Sequence, residues 1–202
     1  MSLNYIYRCR IKRIIDLVFV IFALPLIFVL GILVATGCLY FMGRPIIFSQ
    51  NRIGRNNEIF KIYKFRTLPL NWNSEINKLN EMSKFGAFLR RSSLDEIPSF
   101  INILQGKMSL IGPRPLLPEY LKEFDSKQIS RHQVLPGLTG LAQINGRNNL
   151  DWKSRFEFDL EYVEKYSFIL DLKIFLRTVP LVILRKNIYT NTNTEMPKFK
   201  KF

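Results

Sequence analysis

The chain has 202 residues, with 30 lysines and arginines against 16 acidic residues and a formal net charge of +14. This length allows one domain with a sizeable core plus a membrane element, and the charge indicates an anionic partner such as nucleic acid, an anionic membrane surface or a phosphorylated substrate. The single histidine, His132, excludes histidine-rich metal sites and argues against a Ser-His-Asp triad. The two cysteines, Cys9 and Cys38, imply neither a metal site nor a disulfide framework.

Residues 17–42 form an uncharged and almost entirely apolar segment. One straight helix of this length would reach about 39 Å, against a hydrocarbon core of about 30 Å. Two arrangements compete: a transmembrane helix, and a helix broken near Pro25 that enters the bilayer and returns to the same side. Positive residues mark the cytoplasmic side of a membrane, and they stand on both sides of this segment: Arg8, Arg10, Lys12 and Arg13 before it, and Arg44, Arg52, Arg55, Lys61 and Lys64 after it. The charge distribution therefore favours the re-entrant hairpin, with Asp16 at headgroup level.

The next segment predicts a short β-hairpin. Residues 46–49 and 59–65 are rich in β-branched and aromatic side chains, and the turn-forming sequence Gly-Arg-Asn-Asn lies between them at residues 54–57. Lys61, Lys64 and Arg66 concentrate positive charge in and after the second strand. This cluster suits either a functional positive site or an edge strand protected by lysines, and spacing alone does not decide. Residues 67–80 are predicted to form a surface loop that leads into a short helix.

An adjacent acidic pair, Asp95 and Glu96, follows Arg90 and Arg91 closely. Ser93 and Glu96 have the spacing of a capping box, which predicts a helix that begins at Ser93 with both carboxylates in its first turn. Apolar residues at helical spacing continue to residue 104, and the glycine at residue 106 is the predicted C-terminal stop.

The acidic pair has two interpretations. Acidic residues at the start of a helix usually do no more than stabilise it. Asp95 and Glu96, however, are preceded by two arginines and followed by the sequence Pro113-Arg114-Pro115, whose prolines hold the arginine extended. An ionised carboxylate among three guanidinium groups suits the binding of a phosphate ester and a divalent ion. Spacing alone leaves both a structural role and a site for phosphate chemistry open.

The remaining third of the chain predicts loops and then two helices. Pro118 marks the start of a short helix, and residues 131–147 are rich in glycine and proline, so that Arg147 lies on a turn. A helix with two apolar stripes is predicted from Asp151, and residues 172–186 form a second amphipathic helix with basic residues on its polar side. Such helices suit the surface of an anionic bilayer, whereas core packing explains the first of them equally well.

Four motifs follow one another along the chain: KIYKFRTL at residues 61–68, RRSSLDEIP at 90–98, NILQGKMSLIGPRP at 102–115 and PGLTGLAQINGRN at 136–148. Together they resemble the bacterial sugar transferases, which are monotopic membrane enzymes that move a phosphosugar from a nucleotide sugar to a polyprenyl phosphate. The resemblance runs from about residue 11 to residue 183. The short length and the tail sequence TEMPKF at residues 194–199 are most like the small members that transfer diacetylbacillosamine phosphate.

The resemblance implies a role for each motif residue. Asp95 matches the nucleophile that attacks the β-phosphate of a UDP-sugar and expels UMP, Glu96 matches its dyad partner, and Mg²⁺ is implied beside Asp95. Donor binding is implied for a further set of motif residues: Lys61, Arg90, Pro113, Arg114, Pro115 and Arg147. The implied donor carries an N-acetylated amino sugar, the implied acceptor is undecaprenyl phosphate, and the product opens the membrane stage of glycoconjugate assembly, for a glycoprotein or a lipopolysaccharide.

The chain departs from the family pattern at three positions. Leu24 precedes Pro25 where the family usually has serine, which removes a hydroxyl that could satisfy freed helix carbonyls. Leu68 and Leu141 stand where methionine and tryptophan are common. These last two departures bear on the substrate rather than on the class of reaction.

The predicted fold is α+β and mostly helical, with a re-entrant membrane helix, a small β-hairpin and amphipathic interfacial helices around a membrane-surface active site. Residues 1–43 form the basic segment and membrane hairpin, 44–186 the catalytic domain and 187–202 a polar basic tail. The expected location is the cytoplasmic face of the bacterial inner membrane. A homo-oligomer, or association with downstream glycosyltransferases, remains open.

Other functions fit the sequence less well. A non-catalytic membrane-surface scaffold that binds anionic lipid is the alternative, but it does not account for the acidic pair between arginines or for the Pro-Arg-Pro loop. Nucleic-acid binding is not expected, because the aromatic residues lie in apolar stripes rather than on a basic face. A two-carboxylate glycosidase also fits poorly, since adjacent carboxylates cannot flank a sugar at the required separation of about 5–9 Å.

Overall fold

The computed structural model describes residues 7–69, 83–146 and 150–183. A π-helical turn, Tyr7–Ile11, leads into helix α1, Lys12–Met42, and then into strand β1, Ile47–Ile53, a 3₁₀ turn, Arg55–Asn57, and strand β2, Ile59–Phe65. The central elements are α2, Lys84–Ser92, a 3₁₀-helix, Leu94–Ser99, helix α3, Phe100–Leu104, and strand β3, Ser109–Ile111. The remaining elements are the 3₁₀-helix Pro118–Lys122, α4, Ser126–Ile129, the 3₁₀-helix Ser130–Gln133, β4, Gly137–Thr139, α5, Leu141–Ile144, α6, Trp152–Lys165, and α7, Phe168–Ile183. This mostly helical α+β architecture confirms the predicted fold class.

Helix α1 is continuous through Pro25. No non-helical residue interrupts the helix there, so the predicted interruption is absent. A proline inside a helix removes one hydrogen bond and can bend the helix without ending it. Its middle portion exposes large apolar side chains such as Phe22, Leu26 and Phe28. By length and composition α1 could cross a membrane, and its exposed apolar surface indicates membrane association.

Both ends of α1 pack against the same folded body. Near its start, Val20 is fully buried in the main hydrophobic core, and Arg13 donates a hydrogen bond to a carbonyl in α3 at 2.6 Å. Near its end, Cys38 is fully buried in a second cluster. Gly37 lies so close to Phe85 that an added Cβ would stand 2.4 Å from the ring. The folded body therefore contacts the helix near both of its ends.

The predicted β-hairpin is present. Strands β1 and β2 pair antiparallel from Ile47 opposite Phe65 to the turn, and β1 is longer than predicted. Asn56 and Asn57 in the turn have positive φ angles, a conformation that asparagine adopts more readily than most residues. The asparagine-rich turn thus fixes the register that places the side chains of β2.

The acidic pair begins a different element from the one predicted. Helix α2 ends at Ser92, and Ser93 takes a left-handed conformation with φ of 57°. Its side chain makes no capping bond, because this residue closes α2 while the next helix starts at Leu94 as a 3₁₀-helix. The predicted capping box is therefore wrong, although Asp95 and Glu96 do lie in the first turn as expected.

The two C-terminal helices complete the core and tie it to the N-terminus. Trp152 and Phe156 of α6 are buried in one cluster, as the core-packing interpretation predicts. Asp171 of α7 accepts hydrogen bonds from Tyr162 at 2.8 Å and from Lys12 at 2.6 Å, so α7 is joined both to α6 and to the start of α1. The other face of α7 exposes a set of apolar side chains: Phe168, Ile169, Leu172, Leu176 and Val179. This exposed face matches the predicted membrane-surface helix.

Candidate active site

The two carboxylates of the acidic pair differ in exposure. Asp95 is 8% exposed, whereas the side chain of Glu96 is 19% exposed. The sharp turn at Ser93 positions both immediately after α2, whose last turn carries Arg90 and Arg91. The turn at Ser93 therefore places both carboxylates next to the end of α2, which carries two positive charges.

Glu96 is held between two cations. Lys64 of β2 contacts its Oε1 atom at 2.5 Å, and Arg114 contacts the same oxygen at 3.6 Å. Lys64 reaches this position because it lies on the same face of β2 as the buried Phe60 and Ile62. The pair Lys64–Glu96 thus links the hairpin to the 3₁₀-helix at the site.

Burial, and after it the negative charge of Glu96, raise the pKa of Asp95 to about 6. Lys64, Arg90 and Arg114 act against both effects and favour the ionised form. The carboxylate is therefore ionised at neutral pH, yet poorly solvated. Such a carboxylate is a better nucleophile than one surrounded by water, and perturbed carboxylates of this kind concentrate at functional sites.

Arg90 is oriented by the chain that follows the hairpin. Its Nε atom donates to the Oγ1 atom of the buried Thr67 at 2.9 Å. Thr67 follows β2 closely in the chain. The hairpin therefore positions Lys64, which contacts Glu96, and also orients the guanidinium group of Arg90. Both Arg90 and Arg91, the arginines before the acidic pair, are exposed.

A second small sheet holds the loop that carries Arg114. Strands β3 and β4 pair in parallel, and the loop follows β3 directly. The amide of Gly137 donates to the carbonyl of Pro113 at 3.0 Å, and the amide of Gly112 donates to Thr139 at 2.9 Å. A Cβ on Gly137 would stand 2.0 Å from the Gly112 nitrogen. Only glycine allows this backbone contact, which rigidly positions Arg114.

A buried ion pair supports the same loop from behind. Arg131 is 1% exposed, pairs with Asp159 of α6 at 2.5 Å, and donates to the carbonyl of Arg114 at 2.8 Å. Its neighbour His132 is also buried, and the Nδ1 atom of His132 contacts the Oδ1 atom of Asn57 at 2.7 Å. Burial and the charge of Arg131 lower the pKa of His132 to about 3, so this imidazole is neutral and has a structural role.

A cavity of about 340 Å³ opens beside these residues. Its polar part includes Arg90, Glu96 and Arg114, and its apolar part includes Phe19 of α1 and Phe175 of α7. The rings of Phe19 and Phe175 meet edge to face, with their centroids 5.2 Å apart. The cavity therefore extends from the charged residues to the two helices that expose apolar surface.

The structure brings together most of the sequence-predicted site. The structure places Asp95 and Glu96 close to Arg90 and Arg114. In the loop that holds Arg114, Pro113 and Pro115 are both buried. Lys61, by contrast, is exposed on the opposite face of β2 from Lys64. Arg147 lies outside the described residues.

Three basic residues near the site were not among the predicted site residues, although the sequence did mark Lys64 as part of a positive cluster. Lys64 contacts Glu96, and Arg155 of α6 lines the cavity while its guanidinium lies 5.2 Å from the Trp152 ring centroid. Arg52 of β1 is the third, and burial, together with the neighbouring Arg114, lowers its pKa to about 10. Strand alternation was the available signal for Lys64, because only one lysine of β2 can share a face with Phe60.

Two adjacent carboxylates are the groups here that could hold a divalent metal. Among the described residues, no group of three or more histidine, cysteine, aspartate or glutamate side chains surrounds a common point. Mg²⁺ commonly uses only one or two protein carboxylates and takes its other ligands from substrate phosphates and water. Asp95, alone or with Glu96, therefore fits a magnesium ion that arrives with a diphosphate.

Comparison with known proteins identifies a family for the chain. The sequence profile of the family described as bacterial sugar transferase matches residues 7–185. An uncharacterized sugar transferase of Bacillus subtilis, EpsL, is 40% identical over 94% of this chain and 95% of its own length. The exopolysaccharide production protein ExoY of Sinorhizobium fredii is 35% identical over 88% of each chain.

A longer relative is named for its reaction. The UDP-glucose:undecaprenyl-phosphate glucose-1-phosphate transferase of Escherichia coli is 40% identical over 72% of this chain, but the match covers only 34% of that protein. The profile match spans both helices with exposed apolar surface, α1 and α7, and every described motif around Asp95. From this match, and from relatives that align over nearly their whole length, it follows that the chain belongs to the bacterial sugar transferase family and is a sugar transferase.

Proposed function

We propose that this protein transfers a sugar 1-phosphate from a UDP-sugar to undecaprenyl phosphate and releases UMP. The observation that carries the proposal is the cavity lined by Glu96, the neighbour of Asp95 in the chain, because this cavity joins arginine side chains to apolar side chains of α1 and α7. A water-soluble diphosphate and a lipid-bound acceptor must meet at one point, and this cavity offers a suitable surface to each. The reaction named for the Escherichia coli relative supports the same assignment.

In the first step, a carboxylate oxygen of Asp95 attacks the β-phosphorus of the donor. A bond forms between this oxygen and phosphorus, and the bond from phosphorus to the oxygen that bridges the two phosphates breaks. UMP leaves with that oxygen and its electron pair. The product on the protein is an acyl phosphate that carries the sugar.

In the second step, a phosphate oxygen of undecaprenyl phosphate attacks the same phosphorus. The bond between phosphorus and Asp95 breaks, the carboxylate is restored, and the lipid now carries a diphosphate linked to the sugar. Glu96, held by Lys64, keeps the site polar and orients the cations around Asp95. Arg90 and Arg114 bind the donor phosphates and stabilise charge in both transition states.

Mg²⁺ is the proposed cofactor, with Asp95 as its protein ligand and the donor diphosphate as its other partner. A bound magnesium ion would supply charge neutralisation at the phosphate oxygens. The residues of the chain itself bind the diphosphate, exclude water from the buried carboxylate and hold it ionised.

The site is proposed to face the cytoplasm at the inner membrane of a bacterium, with α1 inserted from one side only. Contacts at both ends of α1 with one folded body, and basic residues on both sides of the apolar segment, support this arrangement. The proposed donor sugar is an N-acetylated amino sugar, although the Escherichia coli relative is named for glucose. The sugar is therefore the part of the proposal that most needs a direct assay.

The test uses the full-length protein in detergent with a panel of UDP-sugars, with and without undecaprenyl phosphate and Mg²⁺. We expect one donor to release a stoichiometric amount of UMP without acceptor and to release UMP catalytically with it. Intact-protein mass spectrometry should then detect the added phosphosugar, and fragmentation should place it on Asp95. The variant Asp95→Asn should lose both signals.

A matched control separates chemistry from folding. Asp125→Asn removes the same charge from an exposed helix cap that asparagine can also form, and it should retain full activity. If Asp95→Asn retained near-normal turnover, the covalent mechanism would be wrong. If no UDP-sugar released UMP under any condition, the non-catalytic lipid-binding scaffold would become the better assignment.

A further inference from the structure

A second cavity, of about 420 Å³, opens at the start of α1 and shares no lining residue with the catalytic cavity. Five basic side chains line it, from the N-terminal segment, the β-hairpin turn and the end of α3: Arg8, Lys12, Arg13, Arg55 and Lys107. The carboxylates in its wall belong to Asp16 and Glu58. Lys12 pairs with Asp171 at 2.6 Å, which leaves four of these cations against the two carboxylates. The cavity is therefore net positive, and the sugar-transfer mechanism makes no use of it.

Two of its arginines are fixed in place without being neutralised. Arg8 donates to the carbonyls of Glu164 at 2.5 Å and of Tyr166 at 3.0 Å, and its guanidinium lies 4.5 Å from the Tyr166 ring centroid. Arg13 donates to two carbonyls at the end of α3, at 2.6 and 3.1 Å. Carbonyl oxygens orient a guanidinium group but carry no net charge. The positive potential of both arginines therefore remains available to an anion.

The carboxylates of the cavity compensate only part of this charge, and Asp16 offsets at most one of the cations. Asp16 is buried and accepts a hydrogen bond from the Leu110 amide at 3.2 Å, so it faces the folded body rather than the headgroup layer that its sequence position suggests. Glu58 meets Lys107 at 3.4 Å, but both side chains are more than half exposed. An exposed pair of this kind is weak and leaves its lysine free to exchange partners.

The cavity lies at the polar end of the membrane helix. Arg8 and Arg13 precede the apolar part of α1, whose exposed residues begin with Ile14 and Val18. An apolar surface next to a basic cavity is the arrangement that suits a lipid, because the acyl chains can lie on α1 while the headgroup reaches the arginines.

We propose that this cavity binds the phosphate group of an anionic membrane lipid, at a site separate from the catalytic one. Preoriented guanidinium groups bind phosphate oxygens with charge-assisted hydrogen bonds. Arg55 and Lys107 would add charge from the opposite wall. The bound lipid would hold the N-terminal segment, the hairpin turn and the end of α3 together at the membrane surface.

The test titrates the full-length protein in detergent with dioctanoyl phosphatidylglycerol and records the unfolding temperature, which rises when a ligand binds the folded state. We expect the double variant Arg55→Gln/Lys107→Gln to bind at least about threefold more weakly. The control double variant Lys127→Gln/Lys153→Gln removes two charges from exposed positions outside the cavity and should bind like the wild type. Arg8 and Arg13 are left intact because their backbone contacts support the fold.

Two further ligands distinguish the source of the phosphate. Competition by inorganic phosphate would assign the site to the phosphate group from either source, and a response to phosphatidylglycerol alone would assign it to the lipid. Equal affinity of wild type and Arg55→Gln/Lys107→Gln, or equal loss in the control variant, would overturn the proposal. Equal stabilisation by zwitterionic phosphatidylcholine would overturn it too. UMP release by Arg55→Gln/Lys107→Gln should equal that of the wild type, so that a failure here is separate from a failure of the proposed reaction.

Discussion

Replacing Asp95 with asparagine is expected to stabilise the folded protein at neutral pH while it abolishes sugar transfer. The pKa of Asp95 is about 6 in the folded protein, against an ordinary value of 3.8. Because a tenfold change in proton affinity corresponds to about 1.36 kcal/mol, the ionised carboxylate costs the folded state up to about 3 kcal/mol at pH 7 or above. Asparagine has nearly the same shape and no charge, so it removes this cost.

The sign of the effect follows from the direction of the pKa shift. A carboxyl group whose pKa is raised on folding favours the folded state only when it is protonated, so the advantage of asparagine should be full above pH 7 and decline as the pH falls through 6. Near pH 4 it should be less than about 1 kcal/mol. At a cost of about 3 kcal/mol, the rise in unfolding temperature at pH 7.5 would be about 6–12 °C as an upper limit.

The assay is thermal unfolding of wild type and Asp95→Asn in the same detergent at pH 7.5 and pH 4.5, with Asp125→Asn as the surface control. A structural role for Asp95 at the helix start predicts the opposite result, because a stabilising carboxylate would be lost. If Asp95→Asn unfolded at a lower temperature than the wild type at pH 7.5, or if the difference did not depend on pH, the electrostatic description of the site would be refuted.

Three other substitutions test the surroundings of the nucleophile. Glu96→Gln should move the acid limb of the pH profile of UMP release to lower pH, because the charge of Glu96 helps to raise the pKa of Asp95. Asp159→Asn should leave Arg131 buried without a counter-charge and lower the free energy of unfolding by about 3–5 kcal/mol, measured by denaturant titration. Gly137→Ala should reduce UMP release at least about tenfold, because the new Cβ would push against the backbone that positions the arginine loop.

Each of these has its control and its contradicting result. An unmoved acid limb in Glu96→Gln would mean that the two carboxylates do not interact. Asp151→Asn, at an exposed helix cap, should lower the free energy of unfolding by less than about 1 kcal/mol. An equally small decrease for Asp159→Asn would contradict the buried ion pair. Gly31→Ala, whose added Cβ would meet its nearest neighbour at 3.7 Å, should retain activity, and normal activity of Gly137→Ala would show that the loop tolerates displacement.

Helices and turns whose sequence signal lies within one continuous segment were predicted correctly. The apolar segment that became α1, the asparagine-rich hairpin turn and the helix capped by Asp151 all carry their signal within a short stretch of sequence. Pro25 does not end the helix, because the turns on both sides of it keep their own hydrogen bonds. In an apolar setting the remaining hydrogen bonds are harder to replace, and the helix continues.

The site was predicted in part, because its residues come together through tertiary contacts. Ser93 has the sequence of a cap, but whether it opens one helix or closes another depends on where α2 ends. Lys61 and Lys64 look alike in sequence, and only the buried face of β2 distinguishes them. The parallel pairing of β3 with β4, and the ion pair of Arg131 with Asp159, join segments that share no local signal.

The packing of α1 has a consequence for how the protein can be produced. Val20 completes the main core, while Val34 and Cys38 complete a second one, so the membrane-inserted segment supplies side chains to two interior clusters. Deleting that segment, which is the usual route to a water-soluble fragment of an anchored enzyme, would open a hole in each cluster and expose the surfaces beneath. For this protein, the anchor cannot be cut away from an otherwise finished enzyme, and detergent or lipid is needed from the first step of purification.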